Sequence, residues 1–252
     1  MLDANVCRVK CGDKEITIRI QRPSFESVEK AYREITPFYN RDYQESYNRL
    51  YKIIIEKNTT NSIIQEQINQ IIEYYAYSES RYFRIGGNAY NQFINNMNAY
   101  YNTCALRVSY SLNQSTHPIK DMEKQNTSRA YKGNDGNIYY LGVPDIVELL
   151  NKNWKELSWN KSTYNQIKAN IQCGCSEDFY QGMANKQDNI NFFTELQSIQ
   201  RKGIVAMRGP KGFNHTTLWE VDNFVDVKLG TSKNYLLEVD ILIRDFYFWE
   251  LK

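Results

Sequence analysis

Two spacings of hydrophobic positions divide this chain. Residues 15–20 alternate, with Ile16, Ile18 and Ile20 set against Glu15, Thr17 and Arg19, which predicts a short half-buried strand. Pro23 closes that strand, and Ser24 stands as a helix cap before Phe25, Val28 and Tyr32. Over residues 43–77 the spacing turns helical, through Tyr43, Tyr47, Leu50 and Ile54 and then Ile64, Ile68, Ile71, Ile72 and Tyr75. The polar break at 58–61 predicts two helices joined by a turn: a hairpin packed on the body or, on a second reading, a partner-binding surface. Gly86 and Gly87 mark a break before a polar run over 88–102. Residues 105–112 fit both periods, since Leu106, Val108, Tyr110 and Leu112 alternate as in a strand while Cys104, Val108 and Leu112 share a helix face. Residues 133–137 read as a loop, and residues 143–154 as a helix opened by Pro144. Residues 160–191 are polar and weakly patterned. Strand signals then follow at 203–207, 216–221, 224–229 and 235–248. Helices first and strands last predict an α+β fold.

Composition narrows the function classes. The chain has 252 residues, taken as a single domain, with 42% hydrophobic, 24% charged and 14% aromatic residues, too apolar for a disordered chain. A net charge of +2 gives no sign of nucleic-acid binding. No run approaches the roughly 20 apolar residues of a membrane span, and Asp3, Arg8, Lys10, Asp13 and Lys14 interrupt the place of a signal peptide's apolar core. The expectation is therefore no membrane insertion and no standard secretory route.

The candidate chemistry is a thiol with a base. Of five cysteines, Cys104 stands alone, whereas Cys7 with Cys11 and Cys173 with Cys175 form near pairs. A nucleophilic cysteine needs a base within hydrogen-bond reach and a third group to orient that base. Only two histidines are present. His117 lies in a loop-like Ser-Thr-His-Pro segment, and His215 follows Gly209-Pro210-Lys211-Gly212 and opens an alternating strand, a rigid place for a base. A lone cysteine is more often a small buried hydrophobe, and a lone histidine more often structural.

The run Asn102-Thr103-Cys104-Ala105-Leu106-Arg107-Val108-Ser109-Tyr110-Ser111-Leu112-Asn113, together with His215-Thr216-Thr217-Leu218-Trp219, resembles the cysteine and histidine motifs of the fourth family of type VI secretion amidase effectors. Arg22-Pro23-Ser24-Phe25 and Phe248-Trp249-Glu250-Leu251 resemble that family's ends. The resemblance implies a papain-like fold, its nucleophile opening a helix packed on an antiparallel sheet that carries the histidine. It further implies hydrolysis of the D-glutamyl to meso-diaminopimelate bond of the peptidoglycan stem peptide. Cys104 is then the nucleophile, His215 its base and, by the family's spacing, Asp226 the acid, with Glu220 and Asp222 as neighbouring alternatives. Asn102 or Thr103 would cap the helix, and the backbone amide of Cys104 would serve as an oxyanion donor.

On strand geometry, a two-residue turn at Val221-Asp222 pairs Glu220 with Asn223 and sets Asp226 on the face of His215, one diagonal step away. The resemblance also implies synthesis in the cytoplasm, delivery by the type VI machinery without a signal peptide, action in a neighbour's periplasm and a cognate immunity protein as partner. No cofactor or metal is expected. Residues of about 40–82 stand out as an added helical insertion. The family's cysteine pair near the acid is absent, so the pairing of Cys7, Cys11, Cys173 and Cys175 is left open, with zinc binding by these four as a lesser alternative. The rival functions are a non-catalytic cell-wall or protein-binding module and a cysteine protease or acyltransferase acting on protein.

Overall fold

The structure, a computed structural model, describes residues 4–11, 14–36, 41–55, 62–154, 177–181 and 183–251. The side chains of Cys7 and Cys11, and Cys173 and Cys175 altogether, lie outside the described part. Strands β1 (Ala4–Cys11) and β2 (Lys14–Gln21) form an antiparallel pair that contains the alternating segment. Helix α1 (Phe25–Glu34) follows, and the Ser24 side chain accepts the amide of Ser27 as its cap. Helices α2 (Arg41–Ile55) and α3 (Ser62–Ile85) pair as the helical spacing predicts, sharing a small core of Tyr43, Leu50, Ile72 and Ala76. The polar run carries two short helices that the sequence pattern did not reveal, α4 (Gly87–Asn95) and α5 (Met97–Tyr100). Gly87, at φ +60°, starts α4 against the following hairpin, where a Cβ would come within 2.8 Å of the Gly133 backbone.

Helix α6 (Cys104–Asn113) resolves the ambiguous segment, and all of its residues are buried. Strands β3 (Ala130–Lys132) and β4 (Ile138–Tyr140) flank the predicted loop, and α7 (Val143–Trp154) has the predicted bounds. After β5 (Glu177–Gln181) comes α8 (Lys186–Ser198), a helix hidden in the weakly patterned stretch. Then come β6 (Lys202–Arg208), β7 (Asn214–Glu220), β8 (Asn223–Phe224), a single helical turn α9 (Val225–Lys228) and β9 (Asp245–Leu251). Two strand expectations are corrected here. The segment 224–229 leaves the sheet after Phe224, and of 235–248 only the last part is strand.

The main sheet is antiparallel, ordered β5-β9-β6-β7-β8, and covered on both faces. Period-two alternation divides it: Ile204 and Ala206 of β6 and Trp249 of β9 pack with α1, α6 and α7, while Val205, Met207 and Phe248 pack with Phe192, Phe193 and Leu196 of α8. Helices and sheet are thus mixed in an α+β fold. Buried Arg22 joins the beginning to the end, its guanidinium donating to the carbonyls of Trp154 at 2.9 Å and Glu250 at 3.0 Å.

Candidate active site

Cys104 is the first residue of α6, which packs against β7. Its thiol is free and buried. Thr103 occupies the cap position but makes no side-chain cap bond; Asn102 does the capping instead, its Oδ1 accepting the Cys104 amide at 3.2 Å. The amide expected to meet an oxyanion is therefore engaged before any ligand arrives.

His215 sits near the start of β7, after the Gly209–Phe213 turn, and the ring of Tyr235 packs edge-on against it at 4.8 Å. The hairpin beyond β7 has the turn at Val221-Asp222, with Glu220 paired to Asn223. Asp226 nevertheless reaches His215 by another route than the diagonal strand position expected of it. The ladder stops at Trp219 and Phe224, the chain turns into α9, and Asp226 comes in from that helical turn. An Asp226 carboxylate oxygen lies 3.2 Å from Nε2 of His215. With Nε2 so engaged, Nδ1 is the ring nitrogen left for the neighbouring Cys104 sulfur. Glu220 and Asp222 instead pair with Lys228, at 3.1 and 2.6 Å. His117 is buried elsewhere, between α6 and α7 along the chain.

A carboxylate 1% exposed must be compensated, and the compensation comes from residues to which the sequence assigned no role. Arg107, one turn along α6 from Cys104, donates to Asp226 Oδ1 at 2.6 Å and to Thr36 at 2.8 Å, and stacks over the Tyr32 ring at 4.1 Å. The Tyr32 hydroxyl adds a bond of 3.0 Å to Asp226, and Thr231 another of 3.3 Å. Burial favours the protonated acid, but the charge of Arg107 and the His215 hydrogen bond outweigh it and hold Asp226 well below the usual carboxylate range. For His215, burial opposes the charged ring, and the hydrogen bonds to Asp226 and Cys104 prevail, raising its pKa to about 9. Tyr32 and Arg107 read in the sequence only as an apolar helix position and as one letter of a motif. The sole signal was that Arg107 stands three residues after Cys104, on the same side of a helix.

These groups open into a cleft of about 790 Å³. One wall is α6 with the β6–β7 turn and residues 230–242; the other is α3, through Tyr74, Tyr77, Ser78 and Arg81. A thiol, an imidazole and a carboxylate in series, at a helix start inside a cleft, can pass a proton from sulfur to ring while the carboxylate holds the ring. Among the described residues no cluster of three or more metal-ligating side chains occurs, and no helix is long and apolar enough to cross a membrane.

The model of the family described as type VI secretion system (T6SS), amidase effector protein 4 (Tae4), matches residues 100–230. The chain belongs to that family. The matched segment takes in α6, β7 and α9, and hence Cys104, His215 and Asp226. A Tae4 solved with Tai4 as an effector–immunity complex, from Salmonella Typhimurium, is similar in fold at TM-score 0.50 and 17% identity, covering 92% of this chain and 99% of that one. The Tae4 of Enterobacter cloacae aligns at TM-score 0.47 and 15% identity, covering 92% of this chain and 98% of its own. No curated protein matches the sequence. This Tae4 family chain thus has the α+β fold of the Salmonella effector.

Proposed function

We propose that the chain is a papain-like cysteine amidase, a single domain with α2 and α3 added, that hydrolyses the D-glutamyl to meso-diaminopimelate bond of peptidoglycan in a competitor's periplasm after type VI delivery. The observation that carries this reading is the series of Cys104, His215 and Asp226, with 3.2 Å between ring and carboxylate at the floor of the cleft. Membership of an amidase effector family supports the reaction class.

The geometry supports the following steps. His215 takes the thiol proton of Cys104, and the sulfur attacks the carbonyl carbon of the scissile amide. The resulting oxyanion displaces Oδ1 of Asn102 from the Cys104 amide and takes its hydrogen bond. The intermediate collapses to a thioester as the C–N bond breaks, and His215 returns its proton to the departing amine. Water, deprotonated by His215, then cleaves the thioester, releasing the carboxylic acid and the thiol. Asp226 keeps the imidazole oriented and stabilises it when charged.

A toxin of this kind requires an immunity protein in the producing cell, and the Salmonella relative solved with Tai4 supports that partnership. We expect such a partner to insert a loop or helix end into the cleft, where little contact area stops the chemistry. The decisive experiment incubates the purified protein with peptidoglycan fragments and identifies new ends by mass. New D-glutamyl carboxyl and diaminopimelyl amino ends, absent with Cys104→Ala, are the expected result; intact fragments with folded wild-type protein would refute the reading.

A further inference from the structure

Helix α3 brings an arginine to the edge of the Cys104 site. Arg81 is half-buried in the cleft wall, and its Nη1 donates to Oγ1 of Thr103, the residue just before Cys104, at 2.5 Å. No carboxylate of the described residues lies within ion-pair distance of it, in contrast to Arg107. Of the other Arg, Lys, His and Asp side chains lining the cleft, Arg107 and His215 are committed to Asp226, while Lys211 and Asp240 are exposed. Burial, and after it the like charge of Arg107, lowers the pKa of Arg81 to about 10, so the guanidinium stays charged while lacking a counter-ion. A partly desolvated cation with a forked donor face turned to a cleft suits a planar anion.

We infer that Arg81 is a specificity-determining residue that binds a substrate carboxylate beside the scissile bond, namely the α-carboxylate of the D-glutamyl unit. This rests on the amidase reading above. In a γ-linked D-glutamyl amide that carboxylate lies only two methylenes and a Cα from the scissile carbonyl. A carbonyl placed at the Cys104 sulfur therefore sets it near the residue that Arg81 already touches. The α2–α3 hairpin then contributes to recognition as well as framing the cleft, because Arg81 lies on α3.

Two stem peptides that differ only in a free or an amidated D-glutamyl α-carboxyl group test the inference on the wild-type protein. A charge-assisted bidentate contact predicts a kcat/KM about 10- to 100-fold higher for the free carboxylate, expressed mainly in KM. Arg81→Gln should bring the two peptides to within about twofold by raising KM for the free acid alone, and Arg81→Lys should keep part of the preference. Equal use of both peptides by the wild type, or an undiminished preference in Arg81→Gln, overturns the inference and leaves the amidase reading standing. Cleavage of neither peptide overturns both. Should Arg81→Gln fail to fold, the wild-type peptide pair and Arg81→Lys decide the matter.

Discussion

Two arginines line the same cleft and are treated oppositely by the fold. Arg107, on α6, is 4% exposed, its fork shared between Asp226 and Thr36 and its plane laid on Tyr32. Arg81, on α3, has one hydroxyl partner and faces the cavity. The first neutralises a buried carboxylate that would otherwise be protonated or expelled. The second keeps its charge available. One wall of the cleft is therefore a closed electrostatic circuit in which each charge has its counter-charge, and the other is an open one that a ligand completes.

The closed wall should fail abruptly when cut. Cys104→Ala and His215→Ala are each expected to lower wall hydrolysis by about a thousandfold or more while circular dichroism shows the native fold retained. Residual activity near the wild-type rate in either would remove the proposed roles. Asp226→Asn should cost about a hundredfold or more in turnover, yet less than Cys104→Ala, whereas Asp222→Asn, which loses only an exposed pairing with Lys228, should change turnover little. The reverse order in a hydrolysis assay would dismiss Asp226 as the orienting group.

Arg107→Met leaves Asp226 buried without its cation and should destabilise the protein by about 3–5 kcal/mol in urea unfolding, with activity falling alongside. A loss below about 1 kcal/mol would mean that the circuit is not closed in the sense argued. The smallest effect is on pH dependence. The folded pKa of His215, about 9, lies above the ordinary value of 6.5, so the stability it contributes is fully present below about 6.5 and lost as pH climbs through about 9. Asp226, shifted down, contributes throughout that window and fails only in strong acid. Wild type should therefore lose stability between about pH 6 and about pH 10 by more than His215→Ala does; equal losses would place the shift elsewhere.

What the sequence disclosed and what it hid follow from burial. The α1 start was legible because Ser24 meets solvent on one side and core on the other, and the β6 and β7 strands because their flanks carry turn residues. α6 fitted both periods because it is buried all round, and a helix without an exposed polar face has no single stripe to decide the period. α8 was missed for the opposite reason: polar residues dominate it, although the Asn185 and Asp188 capping box was there to be read. The extended strand expected at 224–229 rested on Phe224, Val225 and Val227, whose local preference is for a sheet. Tertiary contacts prevail, since the helical turn delivers the Asp226 carboxylate to Arg107, Tyr32 and His215 together. The positions of Cys104 and His215 as candidates came from the motif resemblance, whereas the cation that neutralises Asp226 required knowing which side chains meet.

The place of β9 in the sheet bears on how the protein comes into being. Every other strand of the main sheet precedes it in the chain, yet β9 lies between β5 and β6, and the carbonyl of Glu250 that receives Arg22 is 228 residues downstream of it. During vectorial synthesis residues 245–251 must leave the ribosome before β5 can join the sheet or Arg22 can be clamped. Until then, Trp249 and its strand neighbours are missing from both faces of the core. Such late, long-range closure makes for slow folding and leaves nascent chains exposed to aggregation and proteolysis. It also means that a product cut short before Asp245 lacks the strand that joins β5 to β6.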